Sequence, residues 1–189
     1  MLEKSICAGF GGQGVMSMGK LIAATAMENG FEVSWLPSYG PEMRGGTANC
    51  HVIVSTTPVG SPVISADATS VLALNLPSMK KFQHELVEQG LLIYNSSLIE
   101  QAPERHEIRV VPIAANEIAS NIGNLKAANM VILGAFIELT RILQPEHVIA
   151  ALRNMFGAEK EQFIPINESA LRQGMKAAAA SAAKAGVKT

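Results

Sequence analysis

The chain has 189 residues, of which 48% are hydrophobic and 16% charged, and its formal net charge is -1. That length supports one domain with a real core, and the near-balanced charge gives no reason to expect nucleic acid or an anionic membrane as a partner. Two cysteines and four well-separated histidines argue against a disulfide framework and against a zinc or iron–sulfur site in this chain.

In chain order, Ser5-Ile6-Cys7-Ala8 reads as a strand and runs into Gly9-Phe10-Gly11-Gly12-Gln13-Gly14. Gly9, Gly11 and Gly14 fit the G-x-G-x-x-G spacing, and Gly12 adds a further opening. Val15, Met18, Leu21, Ile22 and Thr25 then recur at helical spacing. Strand, glycine turn and helix in this order offer backbone N–H groups and the positive end of a helix dipole to an anion. Phe31 to Trp35 reads as a second strand, bounded by Gly30 and Pro37. A loop without apolar period follows, Leu36-Pro37-Ser38-Tyr39-Gly40-Pro41-Glu42-Met43-Arg44-Gly45-Gly46-Thr47-Ala48.

Ala48 to Ser55, Val71 to Leu76 and Leu91 to Asn95 read as further strands, and Arg109 to Val111 as one that ends at Pro112. Helical spacing covers Pro77 to Gln89, Ile113 to Ile122, and a long apolar stretch from Asn124 to Leu143. Gln144-Pro145-Glu146 opens another helix, and Asn167 is placed to cap a last, alanine-rich one. Residues 1–185 are therefore expected to form a single three-layer, Rossmann-like α/β domain on a mainly parallel sheet, with a frayed end at 186–189. The first residues lack a signal-peptide pattern and no apolar run approaches a membrane span, so a cytoplasmic location is expected.

The glycine turn alone leaves a dinucleotide site open. Such a site adds an acidic side chain at the end of the second strand to hold the ribose hydroxyls. Here that strand ends Ser34-Trp35-Leu36-Pro37, with Glu32 inside it, which disfavours NAD. In the second loop two readings stand near even. Glu42 and Arg44 pair locally while the glycines turn the chain, or Arg44 presents its planar fork to a phosphate or carboxylate.

"GFGGQGV" followed by "PSYGPEMRGGTA", with the later "SADATSVLALN" and "GNLKAANMVILGAF", resembles the gamma subunit of 2-oxoacid:ferredoxin (or acceptor) oxidoreductases, the pyruvate/ketoisovalerate oxidoreductase gamma family. The resemblance runs to about residue 140. It implies a subunit, inactive alone, of an enzyme that decarboxylates a 2-oxoacid, 2-oxoglutarate being favoured, to acyl-CoA and CO2. It implies alpha and beta partner subunits, a delta, ferredoxin-like one in some assemblies, and ferredoxin or another acceptor beyond them. Thiamine diphosphate, Mg, the iron–sulfur clusters and coenzyme A belong to the complex, with none of them bound by this chain alone. Gly9, Gly11, Gly12, Gln13 and Gly14 of the turn, with Tyr39, Gly40, Glu42, Arg44, Gly45 and Gly46 of the loop, are the candidate cofactor-side residues. No catalytic residue and no metal ligand is assigned. A free-standing NAD(P)-binding oxidoreductase and a nucleotide-binding regulatory module are the competing readings.

Overall fold

The strand before the glycine turn is longer and more central than its apolar run suggests. In the computed structural model, which describes residues 1–39 and 47–185, it spans Leu2–Phe10 (β1) and runs antiparallel to Thr47–Ser55 (β3) on one side. On its other side it runs parallel to Ala68–Ala73 (β4). Glu32–Tyr39 (β2), Leu86–Asn95 (β5) and Arg109–Ile113 (β6) complete a six-stranded sheet in the order β2-β3-β1-β4-β5-β6. Three of its five pairings are parallel, and β2–β3 and β3–β1 are antiparallel.

One consequence matters for the site. A plain succession of β-α-β units would lay β2 beside β1. Instead β3 comes between them, so β2 is parallel to β1 but one strand further out. The carboxyl ends of β1 and β2 still lie at the same edge, because Phe10 pairs with Thr47 and Tyr39 with Ala48.

Helices cover the two faces unequally. Val15–Glu28 (α1), Ala115–Asn121 (α3), Ala128–Thr140 (α4), Pro145–Phe156 (α5) and Ile164–Ala185 (α6) gather on one face. There Met18, Leu21 and Ile22 of α1 pack with Cys7, Val52 and Leu72 of the sheet, and Phe136 of α4 is fully buried. α4 is apolar on nearly every side because α6 covers the surface that the sheet does not. Among the described residues the other face carries Leu76–Phe82 (α2) and loop residues, so Met79 and Phe82 share that core with Ile64, Ile99 and Ile108. The loop bearing Ile64 is tied down by its N–H, which donates to His51 Nδ1 at 3.1 Å. This makes three layers, one of them thin.

Several element bounds differ from those expected, each for a physical reason. β2 continues through Pro37 and β6 through Pro112, since both are edge strands, where a missing N–H is tolerated. Helical spacing after Pro77 does not reach Gln89. The helix ends at Phe82, a 3-10 turn occupies Gln83–Glu85, and β5 starts at Leu86. Long-range donors hold that change of direction. Arg105 Nη1 donates to the Leu86 carbonyl at 2.5 Å and the Gln89 N–H to the Glu107 carbonyl at 2.9 Å. The apolar stretch from Asn124 divides into a 3-10 turn, Leu125–Ala127, and α4, which ends where Arg141 takes φ 53. α6 starts three residues before its expected cap, so Asn167 lies inside it and donates to the Phe163 carbonyl at 2.7 Å.

Candidate functional site

The glycine turn is built by its side chains as much as by its glycines. Gln13 folds back instead of pointing outward. Its Oε1 accepts from the Phe10 N–H at 2.6 Å and from Asn75 Nδ2 at 3.3 Å, while its Nε2 donates to the Leu74 carbonyl at 3.3 Å. Gln13 therefore staples the end of β1 to the end of β4, and Asn75 Oδ1 goes on to accept from the Ser78 N–H and cap α2. Gly9 is part of the same joint. A Cβ there would sit 2.8 Å from both Gln13 Oε1 and Val15 Cγ2.

Past this joint the backbone itself is what the turn presents. Gly14 is the N-cap of α1 with φ 76, and no side chain caps the helix. Helix geometry then leaves the Val15, Met16 and Ser17 N–H groups without an intrahelical acceptor, at the positive end of the dipole. Asn129 Nδ2 donates to the Gly14 carbonyl at 3.3 Å, so α4 fixes the turn from the far side. Gly12, with φ 93, has no atom within 4 Å of where its Cβ would be, and it is exposed.

Two hollows flank the turn. The larger, about 1180 Å³, is lined by Gly14 and the start of α1, by Trp35 of β2, and by residues of α5 and of the 3-10 turns at 125–127 and 158–163. The smaller, about 360 Å³, lies among Gly12, Gln13, Asn95, Asn116 and Lys126 at the carboxyl ends of β1, β4 and β5. Asn95 is almost fully buried. Its Oδ1 accepts from the Ala115 N–H at 3.1 Å, which starts α3, and its Nδ2 donates to Asn116 Oδ1 at 2.9 Å. Asn95, Asn116, Asn129, Lys20 and Lys126 escaped the sequence reading. Only Asn95 had a usable signal, its place at the carboxyl end of a strand.

Of the expected site residues, Gly9, Gly11, Gly12, Gln13 and Gly14 are brought together in this turn. Tyr39 ends β2, and Gly40, Glu42, Arg44, Gly45 and Gly46 lie outside the described residues. The dinucleotide reading loses further ground here. An acid on β2 serves a ribose when that strand neighbours β1, and in this sheet β3 intervenes, while Glu32 stands exposed at the far, amino end of β2.

Cys7 and Cys50 face each other across β1 and β3, both free and buried. The neighbouring Cys50 thiol, together with burial, pushes the Cys7 thiol well above its usual range, and the nearness of Cys7 lowers that of Cys50, whose Sγ donates to the Val15 carbonyl at 3.8 Å. Gly19 of α1 lies directly over Cys50, whose Sγ takes the space of a Cβ at that position. Among the described residues no three His, Cys, Asp or Glu side chains are grouped to hold a metal, and no helix is long and apolar enough to cross a membrane.

The family model "Pyruvate ferredoxin/flavodoxin oxidoreductase" matches residues 4–177. The ketoisovalerate oxidoreductase subunit VorA of Methanothermobacter thermautotrophicus is 40% identical over 169 residues, 88% of this chain, which spans only 34% of that relative's length. The 2-oxoglutarate synthase subunit KorC of Methanocaldococcus jannaschii is 32% identical over 153 residues, covering 77% of this chain and 79% of that one. The crystal structure of the gamma subunit of a keto/oxoacid ferredoxin oxidoreductase from Geobacter sulfurreducens superposes with a TM-score of 0.81 at 28% identity, over 94% of this chain and 99% of that one.

Proposed function

The chain belongs to the pyruvate ferredoxin/flavodoxin oxidoreductase family, and on that premise we propose that it is the gamma subunit of a 2-oxoacid:ferredoxin or acceptor oxidoreductase. The observation that carries this reading is the likeness to a gamma subunit over 99% of that subunit's chain, at a TM-score of 0.81. The reaction to which it contributes is 2-oxoacid + CoA + oxidised acceptor giving acyl-CoA + CO2 + reduced acceptor. The substrate is a 2-oxoacid as a class. The two named relatives differ on which one, ketoisovalerate at 40% identity and 2-oxoglutarate at 32%, so 2-oxoglutarate is not singled out.

The described residues do not fit an iron–sulfur cluster or a Mg-diphosphate site. Their two cysteines are buried opposite each other, and no acidic cluster is present among them. Thiamine diphosphate and the clusters, which supply the decarboxylation and electron transfer, are therefore assigned to the alpha, beta and ferredoxin-like partners. This chain's part is on the coenzyme A side. The unpaired N–H groups at the start of α1 hold an anionic group, and Arg44, in the segment between Tyr39 and Thr47, adds a planar fork to the same group. That both loops spring from one edge of the sheet supports the pairing.

The test is reconstitution. The purified chain should show no turnover with a 2-oxoacid, coenzyme A and a viologen dye, and activity should appear when its partner subunits are added. Turnover by the chain alone would overturn the subunit reading. In the assembled enzyme Arg44→Lys and Arg44→Ala should each weaken apparent coenzyme A affinity by roughly 1.5–3 kcal/mol, the usual worth of a hydrogen bond to a charged group. Unchanged affinity in both variants would leave Arg44 a loop residue only.

A further inference from the structure

The larger hollow beside the glycine turn has a composition that an anion at the helix start does not explain. Trp35, Met155 and Phe163 line it and are 37%, 36% and 43% exposed, large apolar groups kept in water. Lys20, Lys126 and Lys160 line it too, from α1 and from the two 3-10 turns that precede α4 and α6. Among the described residues no Asp or Glu lines it, although the chain carries 16 acids against 15 Lys and Arg. Glu159 and Glu161 flank Lys160 in sequence without joining the lining.

Aromatic and methionine side chains ringed by one sign of charge are the make-up of a protein interface that selects an oppositely charged partner. At about 1180 Å³ the groove also exceeds the roughly 300–1,000 Å³ of an ordinary small-molecule pocket. We propose that this groove receives a segment of a partner subunit bearing Asp or Glu beside an apolar anchor. The anchor packs on Trp35, Met155 and Phe163, and the carboxylates face Lys20, Lys126 and Lys160. The proposal rests on the subunit reading above, and it goes further by naming the docking surface and the chemistry of what fills it.

Carbodiimide cross-linking of the assembled complex tests it, because this reagent joins a lysine amine to a touching carboxylate as an amide with loss of water and no spacer. Peptide mapping should find Lys20, Lys126 or Lys160 joined to Asp or Glu of a partner. The double variant K20E/K160E should raise the dissociation constant of the complex by about 10-fold or more at low salt, with a smaller effect at high salt. Phe163→Ala should weaken it at both salt concentrations. These side chains are exposed, and thermal melting of the isolated variants should match the unaltered chain, which separates lost docking from lost folding. Cross-links confined to other lysines such as Lys80 and Lys81, or an unchanged dissociation constant in K20E/K160E, would overturn the proposal. So would protection of Lys126 and Lys160, on the two 3-10 turns, from acetylation when inorganic diphosphate is added to the isolated chain, since the groove beyond the start of α1 would then belong to a small anion. Failure of the unaltered chain to associate with any coexpressed partner would instead sink the subunit reading, and the docking surface with it.

Discussion

Glycines crowd two regions of this molecule, and the two put them to opposite uses. At the β1–α1 turn, Gly12 and Gly14 have φ 93 and 76, a backbone conformation that side chains oppose, while the space around Gly12 is open. Where α4 crosses α6, Gly134 and Gly174 are ordinary helical residues with no room at all. A Cβ on Gly134 would run into the Leu171 carbonyl, and one on Gly174 into the Val131 carbonyl. The first region spends its glycines on exposing backbone, the second on hiding it. Dense glycine therefore marks close approach, and only the surroundings tell whether the approaching group is another helix or something from outside. Gly9 and Gly14 share this crowding although they sit in the first region, because Gln13, Val15 and Leu74 fill the space beside Gly9 and Asn129 the space beside Gly14.

The largest effect should come from the helix crossing. Gly134→Ala or Gly174→Ala puts a methyl against backbone, which cannot move aside as a side chain can. Each should cost about 3 kcal/mol, the upper end for overpacking, and chemical denaturation should show it. A loss under about 1 kcal/mol would mean that the helices slide apart freely, and the contrast between the two regions would fail. Gly19 should come next. Gly19→Ala drives a methyl into Cys50 Sγ, at an expected cost of about 1–3 kcal/mol. Removing that sulfur should recover much of it, since the other neighbours of such a methyl, Trp35 Nε1 and Val52 Cγ2, are 3.3 Å away. The double variant Gly19→Ala, Cys50→Ala should thus be more stable than the sum of the two single changes, the sign of residues in direct contact.

How far the sequence carried these distinctions varies by element. α1 was legible because Val15, Met18, Leu21, Ile22 and Thr25 all face the core at the period the pattern gave. The Pro145 start of α5 was legible from local chemistry alone. The insertion of β3 between β1 and β2 was not, because a strand of alternating residues carries no mark of its partner, and only the ladders it forms with β1 and with β2 fix its place. At the site, the unpaired start of α1 could be read from the glycine spacing, whereas the inward turn of Gln13 could not. Besides the local Phe10 N–H, its partners are Leu74 and Asn75, more than sixty positions away in the chain. The groove lysines, Lys20, Lys126 and Lys160, converge only through tertiary packing, so no window of sequence contains them together.

Gly12 gives the smallest effect on stability and the sharpest test of what the turn is for. Gly12→Ala meets no atom of the described residues, so its folding cost there is the left-handed backbone, about 1–2 kcal/mol for an ordinary side chain. Gly12→Asn should cost less, since Asn adopts that conformation more readily. If the turn serves only to pack α1 on the sheet, both variants should assemble and turn over normally once allowance is made for stability. If an anionic group lies against the exposed backbone, a methyl at Gly12 intrudes on space that no described residue fills. Apparent coenzyme A affinity in the assembled enzyme should then fall for Gly12→Ala and for Gly12→Asn alike, although the two differ in stability. A loss of affinity that tracks stability across the pair would place Gly12 with Gly134 and Gly174, as a residue needed for folding. A loss shared equally by both would make the crowding of glycines at this turn a matter of what binds there.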